Sequence, residues 1–245
     1  MKRIKFLNCN LDLLTMDETV KYIDNKIQNN NFIQHVVVNV AKLVNLQKDK
    51  ELFKSVNDSD LINVDGMGVI YGAKFLNLEI EKQHKVSGID LFFELIKLSE
   101  KKSYKIFLLG GTEEVINITN KKLKIEYPNL SIVGFHNGYF WDKEETIVEK
   151  IKKSGAKILF VAITSPKKEN FINKWKKVLN VNFVMGVGGT FDIVSGKAKR
   201  APAWMQKNGF EWIYRIIQEP KRMWKRYLVT NSIYLYLLMK NKLLK

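Results

Sequence analysis

In LINVDGMGVIYG, residues 61 to 72, a short hydrophobic run ends in Asp65 and is followed by Gly66 and an apolar segment. A carboxylate at the mouth of a strand can cap the next helix, ligate a metal, hold a ribose or accept a proton, and capping is its commoner use. Two glycine pairs also follow hydrophobic runs, in LLGGTEE (108 to 114) and GVGGTFD (186 to 192). Backbone N–H groups there could approach a phosphate at a helix start, although tight turns alone would also explain the glycines. A dinucleotide fingerprint would require glycine where Phe191 stands, which argues against a nicotinamide enzyme. Ser165, Pro166, Lys167, Lys168 and Glu169 follow a third run, with a proline suited to a first helical turn and lysines able to reach an anion. Asp58-Ser59-Asp60 has the form of a cation-binding D-x-D, but it precedes its strand and so falls at the edge away from the other candidates. His35, His84 and His136 lack the spacing of a zinc site.

These residues share a location only if the hydrophobic runs are strands. HVVVNV (35 to 40), DLINVD (60 to 65), YKIFLLG (104 to 110), LSIVGFH (130 to 136), AKILFVAI (156 to 163) and VNFVMGVG (181 to 188) are short and largely apolar. Strands covered on both faces have that pattern. Amphipathic segments alternate with them: Thr15 and Glu18 make a capping box, and Thr112 opens a helix with Glu113 and Glu114 in its first turn. The alternation predicts an α/β, Rossmann-like fold, a mainly parallel sheet flanked by helices. Ligands bind beyond the carboxyl ends of such strands. Asp65, Gly110, Gly111, His136, Ser165 and Gly188 all fall at that edge, where His136 is either a polar lining residue or a structural one.

The chain has 245 residues, 46% of them hydrophobic, enough for a substantial core and against a disordered protein. No signal-peptide pattern opens it, which places it in the cytoplasm. Cys9 is the only cysteine, so no internal disulfide is possible, and its location suits an apolar filler. Residues 197 to 245 carry twelve Lys and Arg against two acidic residues, a net +10 of the chain's +16. The expected organisation is therefore an α/β catalytic domain over 1 to 196 and a basic helical C-terminal appendage over 197 to 245. Such a field attracts polyanions, either nucleic acid or an anionic membrane surface. In KRMWKRYL (221 to 228), Lys221, Arg222, Lys225 and Arg226 fall on one side of a helix, and Met223, Trp224, Tyr227 and Leu228 on the other. The apolar SIYLYLLMK that follows is far short of a membrane span, so the pattern is that of a peripheral membrane contact. Packing of the apolar side on the main domain, with the basic side in water, is the alternative.

Taken in order, NVDGMGVIYGAKF, KVSGIDL, FLLGG, GFHNGYF, SPKKE, GVGGTFDIVSGKAKRAPAWMQ and GFEWIYRIIQEPKRMWKRY resemble the TagA/WecG/CpsF glycosyltransferase family. The resemblance implies an inverting transfer of N-acetylmannosamine, or a relative such as its uronic acid, from a UDP donor. The implied acceptor is N-acetylglucosamine on a polyprenyl diphosphate, and the product serves teichoic acid or surface polysaccharide assembly. Neither a metal nor a cofactor is implied. Asp65 matches the family's proposed general base. Asn39, Lys85, Ser87, His136, Tyr139, Lys168, Glu169, Gly188, Gly189 and Thr190 match its substrate-binding segments. Arg215, Arg222 and Arg226 match the basic positions of an appendage thought to touch the membrane and close over the site.

The sequence departs from the family pattern at three places: Val37 stands for a frequent threonine, Lys85 for arginine and Lys168 for glutamine. Lysine lacks arginine's planar fork, so the donor is less fixed than the reaction class. The expected partners are a UDP-sugar, the polyprenyl-linked acceptor and the anionic inner face of the cell membrane, where the protein would sit peripherally. A homo-oligomer is compatible with the sequence, which does not fix it. Two rival classes are a nucleic-acid-binding protein driven by the charge, although no base-reading motif is evident, and a sugar-nucleotide sensor without turnover.

Overall fold

The computed structural model describes residues 1 to 244; Lys245 and the side chain of Arg222 lie outside the described residues. The chain opens with an antiparallel hairpin, β1 (Arg3–Phe6) and β2 (Cys9–Asp12), whose two turn residues Leu7 and Asn8 both have positive φ. Next come α1 (Met16–Gln28), β3 (Ile33–Val38), α2 (Val40–Asn45), α3 (Lys50–Asn57), β4 (Leu61–Val64), α4 (Met67–Phe75) and α5 (Gly88–Lys102). The middle of the chain supplies β5 (Ile106–Gly110), α6 (Glu113–Glu126), β6 (Ile132–His136), α7 (Glu144–Ser154), β7 (Ile158–Ala162) and α8 (Lys167–Trp175). It finishes with β8 (Phe183–Gly186), α9 (Thr190–Ser195), α10 (Ala203–Asn208), α11 (Glu211–Gln218) and α12 (Pro220–Leu243).

Strands β3 to β8 form one parallel sheet in the order β4-β3-β8-β7-β5-β6. All six expected strands are present. Alternate residues feed opposite faces, as the strand period requires. Leu61, Leu108, Phe160, Phe183 and Met185 pack on one side with α1, α5, α6 and α9. Val36, Val38, Ile62 and Val64 pack on the other with α2, α3 and α4, and there Phe107, Leu109, Leu159 and Val161 meet α7 and α8. The two expected helix starts are also found: Thr15 and Glu18 cap each other across α1, and Thr112 accepts the Val115 N–H at the head of α6.

The hairpin is the element that the hydrophobic runs do not reveal. It is tied to the sheet by the fully buried Asp12, which takes two hydrogen bonds from Arg3, at 2.6 and 2.8 Å, and a third from the Ile62 N–H at 2.8 Å. Cys9 is buried in β2.

The tail differs from the expectation of two clean faces. Its last part is a single 24-residue helix, α12, on which Met223, Thr230, Tyr234 and Leu238 are buried, the last two in one core with α2 and α4. Trp224 and Leu228, expected beside Met223, point outward instead, because the stripe that packs is set by the whole helix and not by its first two turns. SIYLYLLMK continues the same helix. Tyr234 donates to the Gly68 carbonyl at 2.9 Å and lies against Gly72, where a side chain would collide with its hydroxyl. The second half of α12 packs in the same core as β3 and β4. No helix among the described residues is long and apolar enough to cross a membrane.

Candidate active site

Asp65 is the first residue after β4, held there by a hydrogen bond from its N–H to Val38 O at 2.8 Å. It is not a helix cap. The N-cap of α4 is Gly66, at φ +96, a conformation that suits glycine and leaves open space where a side chain would project. The Asp65 carboxylate makes no hydrogen bond or ion pair among the described residues, although Lys42, Lys85, Glu211 and Arg215 all act on its charge. Burial, and after it the negative charge of Glu211, push its pKa up to about 6 against the pull of Arg215, Lys85 and Lys42. The side chain is half-buried, so solvent and a ligand can still reach it. A carboxylate in that state is a stronger proton acceptor than a free aspartate.

Beside it, just past the end of β3, Asn39 caps α2 by accepting the Lys42 N–H at 3.0 Å. That helix carries Lys42 inward. Its ammonium donates to Val37 O at 2.7 Å and pairs with Glu169 Oε1 at 2.7 Å. Lys168 reaches the same oxygen at 2.9 Å. Its stem lies across Gly186 at the end of β8, where a Cβ would meet Lys168 Cε at 2.7 Å. Burial raises the proton affinity of Glu169, but the two ammonium groups outweigh it and hold the carboxyl down to about 2. Burial and then Lys42 push Lys168 below the usual lysine range, with Arg226 of α12 adding to the effect. Two buried cations thus share one carboxylate, and a third approaches from α12. Lys168, one of the lysines expected to be able to reach an anion, places its ammonium on Glu169.

The other candidates divide into two groups. Lys85 bridges to Val64, and Ser87 is the N-cap of α5 without a side-chain cap bond, which places both beside the end of β4. Gly188, at φ +54, has open space around it and Gly189 precedes α9, while the Thr190 hydroxyl is spent on Val187 O at 2.7 Å. Arg215 and Arg226 are exposed on α11 and α12; the side chain of Arg222 lies outside the described residues.

His136, the last residue of β6, and Tyr139, three residues beyond it, form a separate group, with Asn137 bonded to Glu113 at 2.6 Å. The His136 ring packs edge-on to Phe140, and Tyr139 is 75% exposed. Five strand spacings of ~4.8 Å put this group about 24 Å from Asp65 along the sheet, too far for both to touch one sugar. Gly110 belongs to that end too, pressed against the Ala162 backbone. Asp60 lies at the amino edge, where its carboxylate accepts the Gln34 N–H at 2.8 Å, and so stands away from the site as expected.

Two contributors were not foreseen. Lys42 is a lone lysine in the apolar run NVAKLV, three residues beyond Asn39, and that spacing on an expected helix was the available signal. Glu211 begins α11 and resembles an ordinary first-turn acid.

The family model of the "Glycosyl transferase WecG/TagA/CpsF family" matches residues 4 to 245 of the chain. A curated relative from Bacillus subtilis (strain 168), the N-acetylglucosaminyldiphosphoundecaprenol N-acetyl-beta-D-mannosaminyltransferase, is 36% identical over 181 residues, covering 74% of this chain and 69% of the relative.

Proposed function

Since the chain belongs to the WecG/TagA/CpsF glycosyltransferase family, we propose that it moves N-acetylmannosamine from a UDP donor to N-acetylglucosamine on a polyprenyl diphosphate, with Asp65 as general base. One observation carries the assignment of the base: an unpaired carboxylate at the carboxyl end of β4, beside open space at Gly66, with its pKa raised to about 6. As the acceptor hydroxyl attacks the anomeric carbon, Asp65 takes its proton. The bond to the diphosphate breaks on the opposite face, so the configuration at that carbon inverts. The departing UDP gathers negative charge, which the excess cations around Glu169, the open Gly188–Gly189 loop and Arg226 are placed to stabilise. Lys85 and Arg215 would hold the acceptor diphosphate near the mouth of β4. His136 and Tyr139 stand at the far end of the sheet, where they would contact only an extended part of a ligand.

The acceptor is lipid-borne, and the C-terminal helices offer a surface that suits it. Of the nineteen exposed large hydrophobic residues among the described residues, twelve lie in residues 197 to 244, among them Trp204, Trp212, Ile217, Trp224, Leu228 and Leu235. Trp224, Leu228, Leu235 and Met239 share one outward face of α12, and Lys225 stands beside it. Such a face partitions into an anionic bilayer surface, with the basic residues at the headgroups. We place the protein peripherally on the inner leaflet, with residues 197 to 245 as its contact. The test is incubation with UDP-N-acetylmannosamine and a short-chain polyprenyl-diphosphate N-acetylglucosamine, read by product mass. A product heavier by one N-acetylhexosamine is expected; no product, with transfer from another UDP-sugar, would overturn the donor assignment.

A further inference from the structure

Asp65 lies among Arg215, Lys85 and Lys42 yet pairs with none of them, and for the two lysines the groups that hold them explain why. Lys85 lies beside β4, bridged to Val64. Its ammonium donates to Gln206 O at 3.2 Å and faces Glu211 Oε1 at 3.9 Å, with no bond to Asp65. Both partners flank the turn from α10 to α11. That turn presses on the start of α4 at Gly209, which has φ +80 and lies so close to Met67 that a Cβ would sit 2.8 Å from the Met67 Cβ. Met67 is two residues beyond Asp65. Lys42, the cation from α2, is committed to Glu169 and Val37 O.

We propose that Glu211 is a positioning residue for the reaction: it draws Lys85 away from Asp65, seats the α10–α11 turn over the mouth of β4, and leaves the Asp65 carboxylate unpaired. The inference rests on the reading of Asp65 as base. An aspartate ion-paired to lysine binds protons weakly and serves poorly as a base. Glu211 prevents that pairing by offering Lys85 another carboxylate, and its own charge favours the protonated form of Asp65. The charged groups facing Asp65 are Lys42 from α2, Lys85 from the segment beside β4, and Glu211 and Arg215 from α11. Of these only Glu211 is negative, so its removal acts in the direction opposite to the removal of any of the others.

The test is a carbon-13 NMR titration of the Asp65 carboxyl in full-length protein, assigned by the signal lost in Asp65→Asn and recorded without substrate. In Glu211→Gln, Lys85 is free to turn to Asp65, and the midpoint should fall by on the order of half a unit to one unit. Adding Lys85→Met to Glu211→Gln should raise the midpoint again, toward but not above the wild-type value, because the charge of Glu211 weighs more on Asp65 than that of Lys85; a merely structural role for Glu211 would not give that recovery. An unchanged midpoint in Glu211→Gln, or a double variant no higher than the single one, would overturn the proposal. Turnover of Asp65→Asn is measured in parallel. If that variant is inactive while the Glu211→Gln midpoint stays put, only the role of Glu211 fails. Full activity in Asp65→Asn would remove the base assignment on which the proposal rests.

Discussion

Glu169→Gln tests the buried charge cluster. In the native protein, Glu169 Oε1 faces Lys42 at 2.7 Å and Lys168 at 2.9 Å, all three side chains being buried. At an effective dielectric of about 20, each contact is worth ~6 kcal/mol of attraction, most of which offsets the cost of removing the ions from water. Deleting the only anion leaves two buried ammonium groups facing each other, and breaking a buried pair in this way costs ~4 kcal/mol. For 245 residues the unfolding entropy is ~0.5 kcal/mol/K, so the melting temperature should fall by about 8 °C. Lys168→Met should behave differently. It keeps the apolar stem against Gly186 and leaves Lys42 and Glu169 as a neutral pair, at a cost below ~1 kcal/mol. Calorimetry of the two variants at neutral pH reads the contrast. Because the native carboxyl is held at about 2 against an ordinary 4.5, its contribution is complete above pH 4.5 and is lost as the pH falls through about 2. The gap between wild type and Glu169→Gln should therefore close over that window. Equal losses in the two variants, or a gap independent of acid, would refute the reasoning.

Three further outcomes follow from the geometry. Asp65→Asn should be at least as stable as wild type above pH 6, since the native carboxylate ionises at about 6 where a free aspartate does so at 3.8. The upper bound is ~3 kcal/mol, reduced to roughly 1 by its partial exposure, and a lower melting temperature in that variant would contradict it. Gly72→Ala should destabilise the protein by ~1–3 kcal/mol, because the new methyl group meets the Tyr234 hydroxyl and displaces its bond to Gly68, and thermal melting would show this. Leu228→Ser combined with Leu235→Ser should weaken sedimentation with anionic vesicles on the order of a hundredfold without lowering the melting temperature, because both side chains are exposed. Unchanged sedimentation would rule out α12 as the bilayer contact.

The parallel sheet was legible because strands covered on both faces are written as apolar runs, and all six were found in the positions expected. The hairpin escaped that reading since its strands are short, alternate with polar residues and turn through Leu7 and Asn8 without the usual glycine. The location of Asp65 was likewise readable from the end of LINV, but its freedom from capping depends on Gly66 adopting a positive φ, which the sequence permits without requiring. Strand order was not readable at all. Each candidate was expected at the carboxyl edge, yet only the order β4-β3-β8-β7-β5-β6 separates His136 from Asp65. The inward turn of Lys168 and the shared use of Glu169 depend on contacts between α2 and α8, whose sequences lie more than a hundred residues apart. In the tail, two helical turns suggested one apolar side; the register of all 24 residues decided which of those side chains pack and which remain outside.

The central claim is that Asp65 accepts the proton of the attacking sugar hydroxyl. Its most direct test is the single-turnover rate of Asp65→Asn with donor and polyprenyl-linked acceptor both saturating, alongside UDP affinity by calorimetry. The claim predicts that UDP affinity changes little while the rate falls by ~10²–10⁴-fold, the usual share of general base catalysis. A variant that turns over at the wild-type rate would contradict it.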